Sequence, residues 1–252
     1  MIDTVLFDMG GTLEDIFNTP ETLAGAADKI DQILRKHGMG TGKHPDELAV
    51  ILDEGLKLYS AARDVNYMEQ KPERIWTDYM LRGLGLDIRK LEGISEELAF
   101  AWENSYFNRN LRPGSREMLR GLRSLGFKLG IVSNTASLFQ VFDQLEKYGI
   151  RDYFCDVTLS SQVGYRKPHP NIFRISLLQM RSRPENSVYV GDTVSRDIIG
   201  SKAAGFAYSI LISSQLTREK DDALQNAPRP DYTVKDIFDV LQVCEALIGQ
   251  CV

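Results

Sequence analysis

The sequence predicts a three-layer α/β fold in which a parallel sheet lies between helices and a helical domain is inserted near its start. An apolar first strand, Thr4 to Phe7, is followed by about a hundred residues with almost wholly helical periodicity. From residue 112 onward, short apolar strands alternate with helices, as in a sheet covered on both faces. If the first strand joins this later sheet, residues 1–14 and 112–252 form a core domain. Residues 15–111 then form an all-helical cap domain.

The predicted cap begins with a clear helix start. Thr19 is an N-cap residue, Pro20 occupies the first turn, and apolar residues then recur at helical spacing until Gly38. Further helices are predicted to begin near Pro45, Pro72 and Ser95. The Met and aromatic residues at helical spacing in this segment are most simply the core of a small bundle; they include Trp76, Met80, Trp102 and Phe107.

The predicted core continues with short strands and intervening helices. The strands are expected at residues 127–132, 153–159, 187–190, 208–212 and 232–234. The helices are expected near residues 115–125, 137–148, 170–180, 195–204 and 236–248. Hinges between core and cap are expected near residues 14–18 and 108–112.

Composition limits the classes of function. The formal charge of −5 and the pI near 5.4 give no electrostatic reason to bind nucleic acid or an anionic membrane. No stretch approaches the roughly 20 apolar residues that a membrane span requires. Cys155, Cys244 and Cys251 are scattered and odd in number, as expected for reduced thiols. These features favour a cytoplasmic protein, and they leave its oligomeric state undetermined.

Polar residues follow four of the predicted strands. The groups are Asp8 with Gly10, Gly11 and Thr12; Ser133 with Asn134; Lys167; and Asp192 with Asp197. Each residue alone has an ordinary use in a turn, a helix cap or a solvated surface. Ligands of open parallel sheets bind beyond the carboxyl ends of the strands. We therefore expect these groups to meet at one edge of the sheet and to act together.

Phosphoryl transfer is the chemistry that requires this set. Asp8 can act as a nucleophile and form an aspartyl phosphate, which divides one difficult displacement into two easier ones. Mg²⁺ prefers oxygen ligands and could be held by Asp8, a main-chain carbonyl and Asp192. Ser133, Lys167 and the amides of the glycine turn would hold the phosphoryl oxygens. Asp197 is placed to support the metal ligands or to anchor Lys167.

Four segments resemble the ordered motifs of the haloacid dehalogenase-like (HAD) superfamily: FDMGGTL, IVSNT, GYRKPHPNIF and GDTVSRDIIGSKAAG. The long helical insertion is similar to the type 1 cap of that superfamily. The resemblance extends through the core, including the stretch RPGSREMLRGLRSLGFKLGIVSN and the terminal PDYTVKDIFDVL. It implies a Rossmann-like core and a Mg²⁺-dependent phosphatase that acts on a small phosphorylated metabolite.

The resemblance also implies roles for individual residues. Asp8 would be the nucleophile, and the metal ligands would be Asp8, the Gly10 carbonyl and Asp192. The phosphate contacts would come from Gly11, Thr12, Ser133, Asn134 and Lys167, with Lys167 also catalytic. Asp197 would be the second acid of the fourth motif.

The sequence departs from the pattern at Gly10. Phosphatases of the superfamily carry a second Asp there, which protonates the leaving group and then activates water. Gly10 retains the carbonyl and lacks that carboxylate, so we expect slower turnover and a longer-lived aspartyl phosphate. Glu14, Asp15 or a residue of the cap could supply a substitute acid or base.

Relatives with different residues at this position suggest two other activities, and Gly10 itself suggests a third alternative. Dehalogenating members usually lack the acid pair of the fourth motif, so Asp192 and Asp197 argue against that activity. Phosphonate-cleaving members carry a small residue here and use a cap lysine. The available early cap lysines are Lys29, Lys36 and Lys43. A phosphate-sensing or scaffold protein that has lost efficient turnover is the remaining alternative.

Overall fold

The computed structural model describes residues 1–212 and 227–249. Its strands are β1 (Thr4–Phe7), β2 (Glu14–Phe17), β3 (Asn108–Leu111), β4 (Lys128–Ser133), β5 (Asp156–Leu159), β6 (Ser187–Gly191), β7 (Tyr208–Ile212) and β8 (Tyr232–Val234). Its α-helices are α1 (Pro20–Lys36), α2 (Pro45–Arg63), α3 (Pro72–Arg74), α4 (Ile88–Gly93), α5 (Ser95–Ser105), α6 (Ser115–Ser124), α7 (Gln140–Lys147), α8 (Ser160–Val163), α9 (Pro170–Gln179), α10 (Ile199–Ala204) and α11 (Asp239–Gly249). Among the described residues, Ile75–Met80 and Val194–Ile198 are π-helical.

Within the described ranges, six strands form one parallel sheet in the order β5-β4-β1-β6-β7-β8. The first strand therefore lies inside the sheet, between β4 and β6, and all four of its residues are buried. Leu6, Val132 and Tyr189 extend from these three strands into one apolar cluster with Ile172 and Phe173 of α9. The predicted parallel sheet with flanking helices is confirmed.

The chain forms two compact units. The first contains Met1–Ile16, Arg109–Asn134 and the described residues from Phe142 onward. The second contains Phe17–Asn108 and Thr135–Val141. The sequence did not suggest that residues after β4 would join the second unit. The division into domains 1–14 with 112–252 and 15–111 stays a prediction.

The second unit is a helical assembly around its own apolar core. Thr19 and Thr22 cap α1 reciprocally, because each side chain accepts a hydrogen bond from the other's main-chain amide. Trp76 contacts Trp102 edge to face, with ring centroids 6.4 Å apart, and Trp102 stacks on Tyr106 at 4.6 Å. The prediction that the large apolar residues of this segment form a core is confirmed.

The sequence missed several short elements. β2 and β3 pair with each other in a two-stranded sheet, within the segments expected to be hinges. Their sequences, EDIF and NRNL, contain five polar residues in eight and are too short to show strand periodicity. α4 and α8 were also unpredicted, and the helix expected at 195–204 begins as the π-helical turn Val194–Ile198.

Two other expectations can be compared with the described residues. No helix within 1–212 or 227–249 combines the length and the apolar character of a membrane span. Cys155 is exposed, Cys244 is buried, and both are free thiols. Cys251 lies outside the described residues.

Candidate active site

Three of the predicted site residues reach the same edge of the sheet because of strand register. The residue before Asp8 is in register with Ile131 of β4 and with Val190 of β6. Ser133 and Asp192 each lie two positions beyond those partners. Since the strands are parallel, all three side chains follow the carboxyl ends of neighbouring strands.

A tight turn follows Asp8. The Glu14 amide donates to the Met9 carbonyl at 3.2 Å, and the Gly11 amide donates to the Glu14 carbonyl at 2.8 Å. Neither bond uses the carbonyl of Gly10. Gly11 has a φ of +88°, and a Cβ at this position would lie 2.1 Å from Oδ2 of Asp192. Glycine is therefore required both for the backbone conformation and for the close approach of Asp192.

The Lys167 ammonium lies at the centre of the site. It donates to Asp8 Oδ1 at 2.8 Å, to Asp197 Oδ1 at 2.7 Å and to the Tyr189 hydroxyl at 3.1 Å. Lys167 is only 3% exposed, so this cation is held almost entirely by protein groups. An ammonium has three N–H donors, and these contacts use one donor each. The structure thus brings together Asp8, Lys167 and Asp197, as expected from the sequence.

The two acids bound to Lys167 have different electrostatic environments. Burial raises the pKa of Asp8 above its ordinary value, although Lys167 acts in the opposite direction. Burial also opposes ionisation of Asp197, but Lys167, Arg196 and hydrogen bonds from Thr193 outweigh it and lower the pKa of Asp197. The lowered pKa of Asp197 therefore favours its charged form, which binds the Lys167 ammonium, whereas the raised pKa of Asp8 makes its ionisation less favourable.

Three carboxylates form a group that fits a divalent cation. Ligand oxygens of Asp8, Asp192 and Asp197 all lie within 4.8 Å of one another, and all three residues are buried. Lys167 contacts two of them, and Arg196 also acts to lower the pKa of Asp8 and of Asp197, so three carboxylates are balanced against two cations. The absence of a Cβ at Gly11 leaves the space in which the Asp192 carboxylate approaches the turn. Hard cations such as Mg²⁺ prefer such oxygen donors, so these residues fit the predicted metal.

Two predicted phosphate contacts lie at the end of β4. Ser133 is its last residue and is 6% exposed. Asn134 follows it, and its side chain brackets the backbone of Lys167, accepting from the Lys167 amide at 2.8 Å and donating to the Lys167 carbonyl at 3.1 Å. Since these bonds engage the Asn134 side chain, a phosphate contact from this residue would use its main-chain amide. Gly11 and buried Thr12 lie in the turn after Asp8.

The space beside Gly10 is occupied by other side chains. A Cβ on Gly10 would lie 2.8 Å from Cδ1 of Ile16 and 3.9 Å from Oε1 of Glu14. Glu14 is fully buried, forms an ion pair with Arg109 and accepts a hydrogen bond from the Tyr148 hydroxyl at 2.9 Å. Burial raises the pKa of Glu14, with Arg109 acting in the opposite direction. Glu14 is thus close to the position of the missing acid, but its oxygens are engaged by these two partners.

Several residues near the site were not predicted. Tyr189 contacts Lys167, and its sequence signal is an aromatic side chain within the short buried strand SVYVG. Arg112 donates to the Gly11 carbonyl at 2.7 Å and pairs with Asp15 at 2.8 Å. Asp15, the other predicted substitute acid, is thereby tied to the glycine turn. No sequence pattern indicates these contacts, because they join residues far apart in the chain.

Comparisons with known proteins indicate the family of this chain. The sequence model of the haloacid dehalogenase-like hydrolases matches residues 2–205. A protein of Methanothermobacter thermautotrophicus named glyceraldehyde 3-phosphate phosphatase is 38% identical over 136 residues, which is 54% of this chain and 58% of that protein. A protein of Methanopyrus kandleri with the same name is 29% identical over 241 residues, which is 94% of this chain and 92% of that protein.

A solved structure shows the same fold. The 2-haloacid dehalogenase of Pseudomonas syringae is 21% identical and superimposes with a TM-score of 0.70 over 98% of this chain and 100% of its own. The family match covers more than half of the chain and includes all the residues that meet at the sheet edge. This protein therefore belongs to the haloacid dehalogenase-like hydrolases.

Proposed function

We propose that this protein is a Mg²⁺-dependent phosphatase that hydrolyses a small phosphorylated metabolite through an aspartyl phosphate on Asp8. The observation that carries the proposal is the buried Lys167 ammonium, which contacts Asp8 at 2.8 Å and Asp197 at 2.7 Å at the carboxyl edge of the sheet. It supports Asp8 as a nucleophile because the ammonium fixes one carboxylate oxygen and leaves the other available for attack.

The reaction has two displacements at phosphorus. In the first, an Asp8 oxygen forms a bond to phosphorus, the bond from phosphorus to the ester oxygen breaks, and the leaving group takes up a proton from solvent to become an alcohol. In the second, water attacks phosphorus and gives up a proton to solvent, the bond to Asp8 breaks, and inorganic phosphate is released with the aspartate restored. The same carboxylate is thus consumed and regenerated in each cycle.

The remaining residues have supporting roles in this proposal. Lys167, Ser133 and the amides around Gly11 hold the phosphoryl oxygens while their charge redistributes. Asp197 holds the Lys167 ammonium in place by accepting a hydrogen bond from it. Mg²⁺ bound by Asp8, the Gly10 carbonyl and Asp192 would reduce the repulsion between the nucleophile and a dianionic phosphate.

Gly10 predicts a slow enzyme for substrates with poor leaving groups. The proposal provides no side chain at position 10 to give the leaving group its proton or to activate water. Loss of general acid-base catalysis typically costs about 10²–10⁴-fold in rate. Glu14 is held by Arg109 and Tyr148, which supports the expectation that it replaces the missing acid poorly.

The names of the relatives suggest a first natural substrate. Both archaeal proteins are named glyceraldehyde 3-phosphate phosphatases, and one of them matches 94% of this chain. Glyceraldehyde 3-phosphate is therefore the metabolite to test first. The cytoplasmic location expected from the sequence would suit such a substrate, and it can be checked by fractionation of cells that produce the protein.

The decisive experiment is a rapid-mixing time course with Mg²⁺ and p-nitrophenyl phosphate, with intact protein mass measured at each time. The nitrophenolate leaving group needs little protonation, so the first displacement can be observed without an acid at position 10. We expect a burst of nitrophenolate, a mass increase of one phosphoryl group and slow decay of the adduct. In Asp8→Asn, both the burst and the adduct should be absent. Phosphate release that is unchanged in this variant would overturn the proposal.

A second candidate is a phosphate-sensing or scaffold protein, which the absence of a side chain at Gly10 favours. Such a protein would bind a phosphorylated ligand in a metal-dependent manner and would not consume it. Fast turnover of any phosphate ester removes this candidate. Phosphonate cleavage has less support, because the early cap lysines Lys29, Lys36 and Lys43 are all exposed. Lys36 also forms an ion pair with Glu97, and Lys43 forms one with Glu47.

A further inference from the structure

We infer that Tyr189 is a positioning residue for Lys167, because its buried hydroxyl fixes the ammonium beside Asp8. This inference rests on the proposed function, in which Lys167 contacts the phosphoryl group. Tyr189 does not contact the reacting atoms itself. It acts through the lysine, and its hydroxyl is the group that phenylalanine would lack.

The hydroxyl, the ammonium and one carboxylate form a closed triangle. Lys167 Nζ lies 3.1 Å from the Tyr189 oxygen and 2.7 Å from Asp197 Oδ1, and the Tyr189 oxygen lies 3.2 Å from the same Asp197 oxygen. Lys167 donates to both, and the hydroxyl donates its own proton to Asp197. The carbonyl of Val132, 3.4 Å away, is an alternative acceptor for that proton. Each polar group of the triangle therefore has a partner.

The ring of Tyr189 is itself held in place. Tyr189 is fully buried, and its ring meets Phe173 edge to face at 4.9 Å and Phe206 at 5.7 Å. Interlocked aromatic rings leave little freedom for the side chain. The hydroxyl is thus presented to Lys167 from a rigid position on β6, the strand that also leads to Asp192.

This arrangement divides the three donors of the ammonium. Asp197 and Tyr189 bind two of its N–H groups, so the third is directed at Asp8. Without the hydroxyl, one N–H of a buried lysine would lose its partner, and the ammonium could turn away from the nucleophile to find another. The expected consequence is weaker binding of a phosphoryl-like anion, transmitted through Lys167.

A double-mutant cycle on orthovanadate binding tests this inference. The proteins are the wild type, Tyr189→Phe, Lys167→Met and the double variant, each measured with Mg²⁺ and orthovanadate as the probe. Equilibrium binding is used because it can be measured in variants that turn over slowly. Phenylalanine retains the ring contacts with Phe173 and Phe206, and thermal unfolding of each variant checks folding. Tyr208→Phe is the matched control, since Tyr208 lies on the neighbouring strand β7.

We expect Tyr189→Phe to weaken orthovanadate binding about 10-fold in the wild-type background and less than about 2-fold when Lys167 is already Met. Tyr208→Phe should bind as the wild type does. An equal loss in both backgrounds would show a purely structural role and overturn the inference, as would wild-type affinity in Tyr189→Phe. Failure of the wild type to bind orthovanadate would overturn the proposed function and the inference together, so the two failures are distinguishable.

Discussion

At the scale of single residues, Gly10 is the position at which the proposed mechanism lacks a group that donates and accepts a proton. Gly10 has no positive φ, so its backbone can accept other residues. The contact that a Cβ would make at 2.8 Å is with the terminal methyl of Ile16, which can rotate away. An acidic side chain can therefore be introduced at position 10 without a change in the backbone.

Gly10→Asp should restore general acid-base catalysis. We expect hydrolysis of an alkyl phosphate to rise by about 10²-fold, because general acid-base catalysis is typically worth 10²–10⁴-fold and the neighbouring carboxylate of Glu14 opposes a second charge. Steady-state turnover and the lifetime of the phosphorylated protein are the measurements. Gly10→Asn is the control, since it has nearly the same size and cannot exchange a proton. An equal gain in both variants would mean that packing, rather than proton transfer, limits the site.

The sequence indicated the charged residues of the candidate site, but not the residues that hold them in position. Asp8, Lys167 and Asp197 could be identified because strand ends and residue chemistry are both visible along the chain. Tyr189 and Arg112 could not, since their roles depend on side-chain contacts with residues distant in sequence. Asn134 shows a third case, because its side chain holds the Lys167 backbone, which the sequence did not indicate. Its contact with phosphate stays a prediction.

At the scale of elements, β2 and β3 are connected by a buried ion pair. Glu14 of β2 is fully buried, and Arg109 of β3 is 10% exposed. The Tyr148 hydroxyl also donates to Glu14, and Asp8 adds a weaker repulsive effect. Removing one member of a buried pair leaves an uncompensated charge, which costs more free energy than the pair itself contributes.

Arg109→Met should lower the free energy of unfolding by about 3–5 kcal/mol at pH 7. Without Arg109, the pKa of Glu14 in the folded state rises further above its unfolded value. The folded protein then loses stability as the pH rises from the unfolded pKa, about 4.3, towards the folded pKa. The loss of unfolding free energy relative to the wild type, measured by urea unfolding, should therefore be smaller at pH 5 than at pH 7.

The double variant Glu14→Gln with Arg109→Met provides the control for that pH dependence. It removes the buried carboxylate together with its partner, so its loss of unfolding free energy relative to the wild type should not grow between pH 5 and pH 7. A deficit of Arg109→Met that does not change between these pH values would show that lost packing of the arginine, rather than a buried carboxylate, causes the instability.

Another connection between elements joins α5 to the segment after β4. The Glu96 carboxylate accepts from the Ser137 hydroxyl at 2.5 Å and from the Leu138 amide at 2.9 Å. Glu103, two turns along the same helix, accepts from the Ala136 amide at 3.3 Å. These contacts explain why residues 135–141 belong to the second unit although they directly follow Asn134.

Glu96→Ala should speed hydrogen exchange of the Leu138 amide by about 10-fold, because a charge-assisted hydrogen bond to that amide is lost. Exchange measured on a peptide covering residues 134–139 reports the change. Glu97→Ala is the matched control on the same helix, since Glu97 pairs instead with Lys36, the last residue of α1, and with His37, which follows it. If both variants exchange alike, general loosening of α5 would account for the effect.

At the scale of the whole molecule, the sequence indicated the layers of the fold but could not give the order of the sheet. Strand periodicity is local, whereas the place of β1 between β4 and β6 depends on contacts across more than a hundred residues. That central place is what brings Asp8 beside Asp192 and Ser133. The joining of residues 135–141 to the second unit is likewise a long-range property that no local pattern contains.

Mg²⁺ should stabilise the folded protein in proportion to its occupancy of the carboxylate group. A ligand that binds only the folded state adds about 2.7 kcal/mol to the free energy of unfolding at 100 times its dissociation constant. For a chain of this length that corresponds to an increase of about 5–10 °C in the midpoint of thermal unfolding. The measurement needs no turnover, so it tests the metal site independently of catalysis. A series at constant ionic strength separates specific binding from screening of the acidic cluster. Asp192→Asn should abolish most of the increase, because it removes one of the two carboxylates that are proposed to bind the ion, and an increase of the same size in that variant would place the bound ion elsewhere on the protein.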